Sequence, residues 1–157
     1  MPKPSAGILV YRRRGAGLEV LLVHPGGPFW ARKDEGSWSL PKGEVDDPDD
    51  DPLAVARREF QEELGVAPPD TDEAIPLGEV RQAGGKRVVA WAMEGDVDVT
   101  DVRSNTFEME WPPRSGRTRA FPEVDRAGWF GVDEARGKLL EGQRPFLERL
   151  AEVVATA

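Results

Sequence analysis

The chain has no cysteine. That excludes a disulfide framework, a thiolate zinc site and a cysteine nucleophile. It has one histidine, His24. A two-histidine metal site is therefore excluded, and no serine or aspartate motif marks His24 as part of a triad. Positive charge is in deficit: 21 Lys and Arg stand against 29 Asp and Glu, for a net charge of −8. That balance argues against non-specific binding to nucleic acid or to an anionic membrane. It still admits a polyanionic small molecule, provided metal ions bring positive charge locally. No apolar run approaches membrane-spanning length, and the N-terminus lacks a signal-peptide core. The cytoplasm is the expected location. No internal repeat is visible.

At 157 residues the sequence fits one domain with room for a packed core. Met1–Ser5 is a polar start, expected to be loose. Ala6–Tyr11 reads as a buried strand, Arg12–Gly17 as a turn, and Leu18–Val23 as the second strand of a hairpin. His24 follows, as a polar strand-end residue or a contact to substrate. Pro25-Gly26-Gly27-Pro28 then breaks the chain. Phe29–Gly36 is an aromatic and basic loop. Trp38–Leu40 reads as a short strand, Pro41–Gly43 as a turn, and Glu44–Asp51 as an acidic loop. Leu77–Gln82 and Arg87–Met93 flank Gly84-Gly85 as a second hairpin. Phe107–Trp111 alternates like a strand, and Pro122–Phe130 reads as the last strand. Val132–Leu140 and Arg144–Val154 are helical by periodicity. This order predicts an α/β fold, a mixed sheet flanked by helices.

Everything is organised around residues 53–66. Wound at about 3.6 residues per turn, Leu53, Ala56, Phe60 and Leu64 form one apolar stripe. Glu59, Glu62 and Glu63 gather on another face, because residues three and four apart are helix neighbours. Three like charges there repel by roughly a few tenths of a kcal/mol per pair. A solvated acidic face is one explanation. The other is a divalent cation, since hard cations such as Mg²⁺ take carboxylate oxygens. Asp51 and Pro52 suit the N-cap and first turn, and Gly65 suits the C-terminal stop. The acidic loop lacks the alternating ligands and central glycine of an EF-hand.

From Gly43 to Val66 the sequence resembles the Nudix box, G-x5-E-x7-R-E-U-x-E-E-x-G-U, where U is apolar. Arg58-Glu59-Phe60-Gln61-Glu62-Glu63-Leu64-Gly65-Val66 matches the second half at every fixed position. The preceding Trp38-Ser39-Leu40-Pro41-Lys42-Gly43 resembles the Pro-Lys-Gly lead-in of diadenosine-polyphosphate hydrolases and related pyrophosphohydrolases. Two positions depart from the pattern. The first glutamate of the box falls at Asp50, and the loop from Gly43 to Asp50 is one residue longer.

The resemblance implies a Nudix-type α/β/α sandwich forming a single domain over residues 1–157. It implies hydrolysis of a phosphoanhydride bond in a nucleoside diphosphate linked to another group, with Mg²⁺ or Mn²⁺. Glu59, Glu62 and Glu63 would hold the metal, with a backbone carbonyl near Lys42–Gly43. Asp50 and Arg58 would pair and pin the loop, a structural role. The general base would be Glu59 or a later glutamate. Glu123, six residues before Trp129, is the first such alternative, and Glu108 and Glu110 are its rivals. Among substrate contacts, Lys42 could meet a phosphate as a point charge. Arg32, Lys33, Arg114 and Arg117 are further loop cations. Phe29, Trp30 and Trp111 could stack a base, whereas Trp38, Trp91 and Trp129 suit the core. The expected partner is a small nucleotide, with a dinucleoside polyphosphate or nucleoside triphosphate ahead of ADP-ribose or a diphosphoinositol. Neither nucleic acid nor membrane is an expected partner, and the assembly is a monomer or homodimer. The alternative from another class is a Nudix module that binds a nucleotide without cleaving it. Such modules tend to lose the box carboxylates, and all three are present here.

Overall fold

The computed structural model describes residues 3–15 and 17–155. Its central strand is β1 (Ser5–Arg14), buried from Ser5 to Tyr11. A continuous apolar run of this kind belongs in a sheet covered on both faces. β1 pairs antiparallel with β2 (Gly17–Pro25) and parallel with β5 (Arg87–Glu94). β5 pairs antiparallel with β4 (Ile75–Arg81), and β2 with β8 (Val124–Gly131). The order is β4-β5-β1-β2-β8, a mixed sheet. A short sixth strand, β3 (Lys42–Glu44), pairs antiparallel with the start of β1.

Side chains alternate along β1 and divide the core in two. Ile8 and Val10 join Leu21, Val23, Val55, Ala56, Phe60 and Leu64 under α1 (Pro52–Leu64). Leu9 and Tyr11 share the other core with residues of α2 (Val132–Lys138) and α3 (Pro145–Ala155), among them Ala135, Phe146, Leu147 and Leu150. Helices thus cover both faces, and the α/β/α sandwich is present.

The helix α1 begins and ends where its sequence dictates. The Asp51 side chain accepts from Leu53 N at 3.3 Å, and Pro52 opens the first turn, where no N–H is required. Gly65 adopts the left-handed conformation at φ 76° and returns its N–H to Gln61 O at 2.8 Å. Phe60 is wholly buried, worth on the order of 1.5–3 kcal/mol for such a side chain. That packing fixes the rotation of the helix and so the direction of its acidic face.

Three expectations are revised. Trp38–Leu40 makes only single bridges, Ser39 to Val23 and Trp38 to Leu139. Ladder pairing starts after Pro41, at the expected turn, while the Pro41 carbonyl accepts from Ile8 N at 3.1 Å. β1 continues to Arg14, and Ser5 already lies within it. Of the expected loose start and first turn, residues 1, 2 and 16 lie outside the described residues. The strand expected over Pro122–Phe130 is split. β7 (Thr118–Pro122) forms a separate hairpin with β6 (Thr106–Glu110), and β8 starts at Val124. Glu123 is the junction between the two sheets. Among the described residues no helix is long and apolar enough to cross a membrane.

Candidate active site

β3 brings the Lys42–Gly43 backbone against the acidic face of α1. A Cβ on Gly43 would overlap the Glu59 carboxyl group, so only glycine allows this approach. The Lys42 N–H donates to Glu63 Oε2 at 3.3 Å. Glu59 and Glu63 lie one turn apart and both meet this strand. Glu62 is more exposed and turns towards Arg58, whose Nε stands 3.8 Å from Glu62 Oε1.

The carboxylates sit where ionisation is resisted. Burial pushes Glu63 up to about 8; Lys42 opposes the rise, and the charges of Glu59 and Glu123 add to it. Burial also raises Glu59, followed by the charge of Glu62, with Arg58 opposing. Lys42 is lowered, first by burial and then by Lys86. The donors on offer are carboxylate and backbone oxygens, the set that suits Mg²⁺ or Mn²⁺. Among the described residues no three acids are grouped closely enough to hold a metal ion between them. Glu62 is drawn aside by Arg58. A hard divalent cation fits this site by its donor chemistry and by the backbone approach that Gly43 permits.

Glu63 and Lys42 line a cavity of about 210 Å³, with Trp30, Ser39, Leu40 and Glu123 among its walls. Glu123 is placed by backbone hydrogen bonds. Its N–H donates to Asn105 O at 2.9 Å and its carbonyl accepts from Gly26 N at 2.9 Å. Asn105 N in turn donates to Glu62 O at 3.1 Å. These links tie Glu123 both to the end of α1 and to the loop after β2. It is close enough for its charge to raise Glu59 and Glu63.

The structure therefore brings together Lys42, Gly43, Glu59, Glu63, Glu123 and Trp30, with Glu62 at the edge. Arg32 is exposed and does not line the cavity. Asp50 does not pair with Arg58, contrary to expectation. Arg58 instead reaches Glu59 at 3.5 Å and Glu62 at 3.8 Å. The lengthened acidic loop turns on itself, with Asp50 N bonded to Asp47 O and Asp49 N to Asp47 Oδ1. Asp50 is left exposed there. Glu108 and Glu110 lie exposed on β6, and Glu110 accepts from Arg114 N at 2.7 Å. His24 is wholly buried. Its Nε2 donates to Lys33 O at 2.6 Å, because a carbonyl can only accept, and its Nδ1 lies 2.8 Å from Asp125 Oδ1. It anchors the aromatic loop rather than lining the cavity. Sequence reasoning missed Pro25, Ser39 and Val124 as cavity walls. Pro25, in the Pro-Gly-Gly-Pro break, was the signal available.

The architecture and site define a protein that sets an acidic helix against a glycine-bearing strand at the edge of a mixed sheet. The NUDIX domain family matches residues 1–150. The chain belongs to that family and is a pyrophosphohydrolase of the Nudix type. Solved structures share the fold. An Ap4A hydrolase of C. elegans in a binary complex matches at 20% identity and TM-score 0.65, covering 99% of this chain and 100% of its own. The NUDIX domain of Shewanella oneidensis NrtR, complexed with ADP ribose, matches at 17% identity and TM-score 0.66, covering 98% and 89%. A MutT protein from Methanosarcina mazei Go1 matches at 25% identity and TM-score 0.59, covering 97% and 96%. No curated protein sequence matches.

Proposed function

We propose that this pyrophosphohydrolase cleaves a phosphoanhydride bond of a nucleoside diphosphate-linked compound and requires Mg²⁺ or Mn²⁺. The observation that carries the reading is the meeting of Glu59 and Glu63 with Gly43, beside a cavity shared by Lys42 and Glu123. An acidic site of this kind repels a polyphosphate unless cations intervene. A divalent ion bound there would neutralise phosphate charge and lower the pKa of an attacking water. Glu59, Glu62 and Glu63 would hold it, with the backbone at Gly43. Lys42, half-buried in the cavity wall, would meet a phosphate oxygen. Glu59 is the first choice as general base and Glu123 the second. Glu123 faces the cavity from the opposite element, where it can accept a proton from water without also being a box ligand. Trp30 would contact the substrate from the loop above.

Dinucleoside polyphosphates and nucleoside triphosphates are the favoured substrates, supported by the Pro41-Lys42-Gly43 lead-in and by the fold shared with the Ap4A hydrolase. ADP-ribose ranks behind them; the NrtR domain that binds it shares the same fold. The test is a panel of these nucleotides with Mg²⁺ or Mn²⁺, products identified by mass. Cleavage of at least one, dependent on the metal, is the expected result. Tight binding of a nucleotide with no product from any of them would overturn the proposal in favour of a non-cleaving module.

A further inference from the structure

We propose that the slot between the loop after β2 and the β6–β7 hairpin seats the planar base of the substrate. The inference rests on the phosphoanhydride reading of the carboxylate site. The cavity beside Glu63 encloses about 210 Å³, below the roughly 300–1,000 Å³ of small-ligand pockets. A nucleotide with a phosphate there must extend beyond it. A second cavity, of about 380 Å³, shares Pro25, Trp30 and Glu123 as walls, so the two adjoin.

The second cavity is lined for a flat apolar ring. Phe107 and Met109 face it from β6, two residues apart and so on one side of the strand. Phe29 and Trp30 face it from the loop. Gly27 lets the loop close against the edge of Phe107 at one end of the slot. Its φ is 99°, and a Cβ there would stand 2.9 Å from the Phe107 ring. Phe29 is 61% exposed, with Trp111 set edge-on at 5.8 Å between centroids. A large ring left so open, braced by a second aromatic at the rim of an aromatic slot, is poised to cover a third. Every nucleobase offers a π-face to such walls. The one charged wall is Glu123, at the seam between the cavities, so a bare phosphate is disfavoured inside the slot. The arrangement orders the substrate: base between Phe107 and the loop aromatics, phosphates towards Lys42 and Glu63.

The test is calorimetric titration of the full chain in Mg²⁺ with two non-hydrolysable probes, α,β-methylene-ADP and its nucleoside-free counterpart methylenediphosphonate. The wild type should bind the nucleotide at least about fivefold more tightly, as loss of one base stack costs roughly 1–3 kcal/mol. Phe107→Ala should weaken the nucleotide by a similar factor and leave methylenediphosphonate within about twofold. Phe107→Leu, which keeps apolar packing against Phe121, should behave like Phe107→Ala. Equal affinity of the wild type for both probes, or unchanged nucleotide binding by Phe107→Leu, would overturn the inference alone; no binding of either would overturn it together with the phosphoanhydride reading. No turnover is measured, so a failure here is separable from a failure to hydrolyse.

Discussion

Replacing Glu63 by glutamine should stabilise the metal-free protein at alkaline pH. Unfolded, this carboxyl ionises near the ordinary glutamate value; folded, it is pushed up to about 8 by burial, with Glu59 and Glu123 adding to the rise. Between those values the folded chain holds more protons than the unfolded one, so stability falls as pH rises through this window. Below it both states are protonated and the penalty vanishes; above about 8 the penalty is complete. At about 1.4 kcal/mol per pH unit, the ceiling is on the order of 4–5 kcal/mol. Water entry and relaxation of Lys42 reduce this to about 1–3 kcal/mol. The substituted amide keeps an oxygen for the Lys42 N–H and carries no charge. For a chain of this size, roughly 2–4 °C of Tm accompanies each kcal/mol. Thermal unfolding in EDTA at pH 5 and pH 8 should thus show a fall for the wild type that exceeds the variant's by about 2–12 °C. Identical pH dependence in the two proteins would refute the reasoning.

Other outcomes follow from the same geometry. Glu59→Gln and Glu63→Gln should each lower kcat by orders of magnitude with an unchanged circular dichroism spectrum, because the acidic face is not the core. Phe60→Ala should destabilise by roughly 3–5 kcal/mol in denaturant titration, as the side chain is wholly buried under α1. Gly43→Ala should displace the Glu59 carboxylate and abolish activity while secondary structure persists. Chelation of divalent ions should stop turnover, and Mg²⁺ or Mn²⁺ should restore it.

The sheet and the acidic helix were legible because their signals are local. The apolar run of β1, the Asp51-Pro52 start and the Gly65 stop are each written within a few residues. The spacing of Glu59, Glu62 and Glu63 gave their shared face directly. What could not be read was distance across the fold. The Asp50–Arg58 pair failed because the lengthened loop closes on Asp47 instead. The placement of Glu123 depends on backbone bonds to Asn105 and Gly26, and the single strand expected around it hid the change of sheet. His24 looked like a strand end with substrate in reach, whereas burial makes it an anchor for Lys33 and Asp125. The slot beside Phe107 arises from two segments far apart in the chain, which meet where Gly26 and Gly27 leave room for the hairpin.

If the Glu59–Glu63 face is a divalent-cation platform, the most direct measurement is Mn²⁺ binding, followed by the loss of the free-ion paramagnetic resonance signal. The wild type should bind saturably. Affinity should weaken at least about tenfold in both Glu59→Gln and Glu63→Gln, as loss of about 1.4 kcal/mol from one ligand would require, and Arg32→Ala should leave it unaffected. Equal Mn²⁺ affinity in all four proteins would contradict the platform.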